Sequence, residues 1–218
     1  MSMVVPEVKV CGVTRPEDGR NAISLGASYL GFILFEGSPR CIDPEDAKGM
    51  WSELNPGKTR SVAVDVDPDP SRLTEIHKLG FDFFQLHFPS STDPERVSEW
   101  SETVGAERLW LAPRVHPSEP FPEQFLPFGE TFLQDAYCSD KFGGTGEIAD
   151  WDAFESLKTR FPAKKWVLAG GLSPENLSGA ISETSAHHVD LNSGIESDPG
   201  IKDYSKMQRA FSILRERG

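Results

Sequence analysis

The chain has 218 residues, which suits one large domain. Its net charge of −12, from 34 acidic against 22 basic residues, works against binding nucleic acid through phosphates and against anionic membrane surfaces. Three cysteines without paired or zinc-like spacing (Cys11, Cys41 and Cys138), no secretory pattern in "MSMVVPEVKV" and no apolar run near the ~18 residues of a membrane span make the cytoplasm the expected compartment.

Short β-rich runs alternate with helical patterns. The first strand is expected over 8–11 and the first helix over 16–25. "YLGFILF" over 29–35 is apolar throughout, as a strand covered on both faces is. The helix expected over 43–54 opens on Asp43, Pro44 and early acids, a capped start that complements the helix dipole. Strands over 60–66 and 81–87 alternate with helices over 69–80 and 93–104. A fifth strand runs over 108–113, and the proline-dense "HPSEPFPEQFLPFGE" after it makes a poor helix, a loop with one short turn. A strand over 131–135, a helix over 150–161, a strand over 166–170, a capped helix in "SPENLSGAISE", a strand over 187–194 and a helix over 203–217 complete the series. Eight βα units imply a parallel sheet. They point to an α/β fold, a single-domain (β/α)8 barrel over 1–218 with a degenerate fifth helix. An open doubly wound sheet is the alternative, and it usually carries fewer strands.

In such a barrel the active site lies at the C-terminal ends of the strands. Cys11 ends the first strand, Arg40 lies in the loop after the second, His87 ends the fourth, Arg114 follows the fifth and Asp135 ends the sixth. "LAGGLSPEN" places Gly170 and Gly171 between strand seven and a helix, and "LNSGIESDPG" places Ser193 and Gly194 after strand eight. Glycine lets backbone N–H groups approach an oxyanion, and barrels commonly bind phosphate with these two loops. One glycine pair alone is explained by a tight turn; two at the expected positions favour phosphate. "KFGGTGEIADW", with Gly144, is not a P-loop and reads as a loop that could close over a ligand.

A free thiol titrates near 8.5 and an aspartate near 3.9, so a pocket that shifts the two toward neutrality makes Cys11 and Asp135 a base and an acid. Taken singly, a strand cysteine is ordinarily packed core and an Asp after a strand is often a helix cap. His87 either orients a ligand or is structural. Asp190, within strand eight, can point at the pocket. Asp65 and Asp67 read as loop caps, Cys41 and Cys138 as spectators, and the tryptophans as packing.

The motifs together resemble the phosphoribosylanthranilate isomerase family. "KVCGVTRPED", "GASYLGFILFEGSPRCI", "QLH", "FLQDAY…KFGGTG…DW", "VLAGGLSPENL" and "VDLNSGIESDPGIKD" are similar to its signatures, in order and over nearly the whole chain. The resemblance implies a (β/α)8 barrel without metal or cofactor. It implies an Amadori rearrangement of N-(5-phosphoribosyl)anthranilate to the carboxyphenylamino-deoxyribulose phosphate, in tryptophan biosynthesis. Carried over, Cys11 is the base that removes the sugar C2 proton and Asp135 the acid that opens the furanose. Arg40 holds the anthranilate carboxylate, and Gly170, Gly171, Ser193 and Gly194 line the phosphate. The only partner expected is this small phosphosugar–anthranilate substrate, and a monomer is expected.

The chain departs from the family pattern at Phe88, where a glycine is usual, at Leu111 and Glu147, where lysines are, and at Cys41, where an aromatic is. The departures bear on affinity and rate more than on the reaction. Rival readings are an aminoaldose isomerase of the same barrel type, which usually uses two aspartates, and a metal-dependent pentose-phosphate epimerase. A non-catalytic phosphate-binding barrel is the third.

Overall fold

The computed structural model describes residues 5–135 and 150–216; Cys138, Gly144, Glu147 and the rest of the "KFGG" segment lie outside them. Eight parallel strands close into a barrel in chain order. They are β1 (Glu7–Cys11), β2 (Tyr29–Ile33), β3 (Arg60–Val66), β4 (Phe83–Pro89), β5 (Leu109–Arg114), β6 (Thr131–Gln134), β7 (Lys165–Leu168) and β8 (His188–Leu191). Closure sets β1 beside both β2 and β8, with Lys9 in register against Asp190 and Cys11 against Gly31.

Helices wrap the outside: α1 (Pro16–Leu25), α2 (Pro44–Glu53), α3 (Pro70–Lys78), α4 (Pro94–Val104), α5 (Trp151–Arg160), α6 (Leu177–Thr184) and α7 (Tyr204–Glu216). Three of them start on Asp-Pro. The carboxylates of Asp43, Asp69 and Asp93 accept hydrogen bonds from the N–H groups of Glu45, Arg72 and Glu95, while proline supplies the fixed φ of the first turn. The capped start expected for α6 lies at Ser173, whose Oγ accepts from Glu175 N at 3.3 Å. Asn176 completes it from the other side, accepting from Ser173 N at 2.9 Å and donating to the Gly171 carbonyl at 2.8 Å. The fifth helix is replaced by a 3-10 turn, Glu123–Phe128, with Pro127 inside it.

The two-residue period of each strand divides the core. Side chains facing inward include Val62, Val64, Ala112, Leu133, Val167 and Ala169, which pack with Cys11. Below them Trp110 meets Tyr29 edge-on at 4.9 Å, and Phe83 meets Tyr29 at 5.6 Å, closing the N-terminal end of the barrel. Outward residues, among them Phe32, Phe84 and Leu111, form a second and larger core under the helices.

That division settles two of the sequence departures. Leu111 belongs to the outer core, so its side chain is turned away from the barrel interior. Phe88 is also fully buried outside the barrel, stacked edge-on against Trp100 at 5.3 Å and against Phe125 of the 3-10 turn at 5.1 Å. It fills the layer where a regular fifth helix would lie.

Strand ends differ from the sequence expectation in both directions: β4 runs to Pro89 and β5 to Arg114, past their expected ends at 87 and 113. β2, β6 and β7 stop one or two residues short, and β8 ends at Leu191, with Ser193–Ile195 forming a 3-10 turn. The apolar run continues past the last ladder bond because the loop residues remain buried. A short antiparallel hairpin, β9 (Glu196–Asp198) with β10 (Ile201–Lys202), was not anticipated. It is too short and too polar for alternation to mark it. Among the described residues no helix is long and apolar enough to cross a membrane.

Because Phe88 bridges α4 and the 3-10 turn, Phe88→Ala is expected to destabilise the fold by about 3–5 kcal/mol. Urea denaturation followed by tryptophan fluorescence measures this; a loss under about 1 kcal/mol would mean that the aromatic layer does not support the barrel.

Candidate active site

The C-terminal strand ends frame an open cleft of about 690 Å³. Cys11 and Asp190 enter it from the adjacent strands β1 and β8, His87 from β4, and Asp135 from just past β6. Arg40, Gly170, Gly171 and Ser193 complete the expected residues that line it. Gly194 is not among the lining residues. A side chain there would run into the Leu172 backbone carbonyl, so this glycine lets the two loops pack against each other. Gly144 lies outside the described residues.

Beneath the cleft lies a buried ion pair that sequence reasoning missed. Lys9 Nζ donates to Asp190 Oδ2 at 2.7 Å, with the lysine side chain 1% exposed. Burial alone would lower the Lys9 pKa, but the charges of Asp190 and Cys11 outweigh it and hold the ammonium above the ordinary lysine value. The other carboxylate oxygen of Asp190 is buried without a hydrogen-bond partner among the described residues, as is Gln85 Oε1. Both residues line the cleft. Such orphaned acceptors are costly unless something donates to them.

Cys11 is buried, and burial pushes its thiol up; the Asp190 charge adds to this, while Lys9 and Lys202 oppose it. Burial and the Lys9 charge hold His87 down at about 3, so it is a neutral imidazole, with Gln85 Nε2 2.8 Å from its Nε2.

A second ionic cluster holds the rim. Arg40 Nε and Nη2 clamp the Glu196 carboxylate at 3.0 and 2.7 Å, and Lys202 Nζ reaches the same carboxylate at 2.7 Å. Lys202 also donates to Asn192 Oδ1 at 3.0 Å, and its backbone N–H donates to Asp18 Oδ2. Burial by itself would raise Glu196, but Arg40 and Lys202 outweigh it and keep the carboxyl below the usual range. Arg40 therefore reaches the cleft already oriented by the β9–β10 hairpin.

Asp65 is not the loop cap it was expected to be. It sits inside β3, buried, and its Oδ2 accepts from Arg72 Nε at 2.7 Å. Desolvation raises its pKa against the pull of Arg72. Asp67 does lie past the strand, at φ 43°, paired with Arg96 at 3.0 Å.

On the far side, Gly170 and Gly171 adopt positive φ of 85° and 59°, which L side chains rarely take. Their turn and the 3-10 turn that starts at Ser193 pack together, and Gly170, Gly171 and Ser193 from the two loops line the cleft. The missed residues had one legible signal. Lys9 stands two residues before Cys11, on the same face of a strand that is otherwise apolar at its centre. Glu196 and Lys202 gave none, because the hairpin that carries them was not foreseen.

A closed parallel barrel with amide-rich loops, buried cations, and a thiol and a carboxyl lining one cleft defines an acid–base enzyme for a small anionic substrate. Comparison with known proteins narrows the class. The family model for N-(5'-phosphoribosyl)anthranilate isomerase matches residues 8–212. The curated isomerase of that name from Gloeothece citriformis is 36% identical over 210 residues, 95% of this chain and 93% of the relative. A solved structure of monomers generated from the dimeric phosphoribosylanthranilate isomerase of Thermotoga maritima superposes with a TM-score of 0.78 at 29% identity, over 96% of this chain and 98% of that one. Another isomerase of this kind, in complex with reduced 1-(o-carboxyphenylamino)-1-deoxyribulose 5-phosphate, has a TM-score of 0.76 at 27% identity, over 97% and 99%. The chain belongs to the N-(5'-phosphoribosyl)anthranilate isomerase family.

Glu196→Ala leaves two buried cations facing each other and is expected to cost about 3–5 kcal/mol, seen as a lowered midpoint in thermal unfolding. The pH dependence has a fixed sign. A carboxyl held low in the folded state stabilises it above the unfolded value, 4.5, and that stabilisation is lost as pH falls below it. Glu196→Gln is expected to flatten the acid limb of the stability profile; an unchanged limb would contradict the clamp.

Proposed function

We propose that Cys11 and Asp135 carry the family's reaction in this chain, the isomerisation of N-(5'-phosphoribosyl)anthranilate in tryptophan biosynthesis. Asp135 protonates the ring oxygen of the aminoribofuranose, and the anthranilate nitrogen lone pair forms the iminium as the C1–O bond breaks. The iminium acidifies the C2 proton, which the Cys11 thiolate removes. The resulting enolamine takes a proton at C1 and gives up the proton of its C2 hydroxyl, which leaves the ketose carbonyl at C2. Each proton transfer is worth roughly 10²–10⁴-fold in rate.

The observation that carries this reading is the sharing of one cleft by Cys11, Asp135, Arg40 and the paired glycine loops. The substrate has an anionic group at each end, and the cleft offers a guanidinium on one wall and amide loops on another. Against a chain of net charge −12, the cations Lys9, Arg40 and Lys202 stand at this end of the barrel, each tied to a carboxylate. The unpartnered acceptors of Asp190 and Gln85 suit the sugar hydroxyls.

The chain is also read as a cytoplasmic monomer. Among the described residues the large apolar side chains left exposed are Val5, Ile201 and Tyr204, too few for a wide apolar interface. Light scattering after gel filtration tests this, and a mass of two chains would overturn it.

Purified protein is expected to consume phosphoribosylanthranilate, followed by the loss of its fluorescence. Cys11→Ala and Asp135→Ala are each expected to lower turnover by about 10²-fold or more while the far-ultraviolet circular dichroism stays unchanged. Wild-type turnover in the folded Cys11→Ala variant would remove the thiol from the mechanism. Loss of activity on chelation by EDTA would favour metal-dependent chemistry instead.

A further inference from the structure

We propose that Lys9 is a positioning residue for the acid–base chemistry: its ammonium, clamped by Asp190 and seated in the space that Gly31 leaves open, is the countercharge that offsets the burial of Cys11 and brings its thiolate within reach of the reaction. This rests on Cys11 being the base. Three independent placements support it.

The first is register. β1 pairs with β8 so that Lys9 lies directly beside Asp190, and with β2 so that Cys11 lies directly beside Gly31. Lys9 and Cys11 are two residues apart on one strand, so both side chains face the barrel interior. The second is space. A Cβ on Gly31 would meet Cys11 Sγ at 2.9 Å, Lys9 Cε at 2.9 Å and Lys9 Nζ at 3.1 Å. The thiol and the ammonium thus converge on one point, and it is left open because β2 carries no side chain there. The third is hydrogen-bonding capacity. An ammonium has three donors, and Asp190 Oδ2 takes one at 2.7 Å. The other two donors are left for the thiol, whose charge favours the ammonium as that of Asp190 does.

The thiol faces several other charges, and they do not replace Lys9. Asp190 on β8 is negative and opposes ionisation; Lys202 on β10 favours it, but its ammonium is spent on Glu196 and Asn192. Arg40 is clamped by the same Glu196. His87 on β4 is neutral, and Asp65 on β3 and Asp135 past β6 are carboxyls. Lys9 is therefore the cation from the thiol's own strand that opposes burial and Asp190, and the thiol is buried enough that a thiolate without it would be disfavoured further.

The test reads the thiol itself. Alkylation of Cys11 by iodoacetamide, followed by peptide mass spectrometry so that Cys41 and Cys138 do not interfere, is measured against pH in wild type, Lys9→Met and Lys9→Arg. The thiolate is the species that reacts, so the midpoint of the profile reports its ionisation. Lys9→Met is expected to move the midpoint up by about one unit or more, a tenfold loss of rate on the rising limb, with Lys9→Arg close to wild type. The pH profile of kcat on phosphoribosylanthranilate is expected to move in the same direction. If Lys9→Met does not fold, Lys9→Gln, which keeps a donor for Asp190 without the charge, takes its place. An unmoved midpoint in a folded neutral variant would overturn the proposal and leave Lys9 a purely structural residue. Because alkylation needs no substrate, this outcome is distinct from a failure of the isomerase reading, which would show as no turnover by the wild type.

Discussion

The contact on which the rest of the site depends is the 2.7 Å ion pair between Lys9 and Asp190, residues from opposite ends of the chain. A pair of opposite charges in a barrel interior is tolerated only when both are well partnered. Here barrel closure supplies the partnership, since the first and last strands must be neighbours for the sheet to close. Without that closure the ammonium would have no carboxylate, and the thiol would have no cation beside it. The interior under the cleft is therefore polar on the β1–β8 side and apolar on the β3, β5 and β7 side, where Val64, Ala112 and Ala169 face inward.

A second set of charges performs a different task at the rim. Glu196 accepts from Arg40 and Lys202, and Lys202 is fixed in turn by Asn192 and by Asp18. This ties the loops after β1, β2 and β8 into one framework. The Arg40 guanidinium is then presented at a set angle without ordering cost when a ligand arrives. The cost of burying Lys9, Arg40, Lys202, Asp190 and Glu196 is offset by the hydrogen bonds each of them makes, and among the described residues the buried Asp190 Oδ1 is left without a partner.

Most of the architecture was legible because alternating strand and helix patterns leave few alternatives, and Asp-Pro helix starts mark three boundaries physically. The proline run before Gly129 announced the missing fifth helix. The C-terminal ends of β2, β6, β7 and β8 were not legible, since loop residues that stay buried continue the apolar pattern of the strand. Cys11, Asp135, Arg40, Gly170, Gly171 and Ser193 could be placed at the rim from strand count alone. What sequence could not give was partnership. Lys9 looked like a strand residue until β8 was set against it, Asp65 looked like a cap until Arg72 was seen to reach it, and Glu196 depends on a hairpin with no periodic signature. Leu111 and Phe88, which looked like losses from the site, are turned outward and belong to packing.

The central claim is that one substrate spans this cleft with its phosphate on the loops after β7 and β8 and its sugar between Cys11 and Asp135. A crystal structure of the chain with reduced carboxyphenylamino-deoxyribulose phosphate tests it most directly. The account predicts phosphate oxygens on the backbone N–H groups around Gly171 and Ser193, the carboxylate against Arg40, and Cys11 Sγ within roughly 3–3.5 Å of C2. A phosphate bound elsewhere, or a C2 out of reach of Cys11, would contradict it.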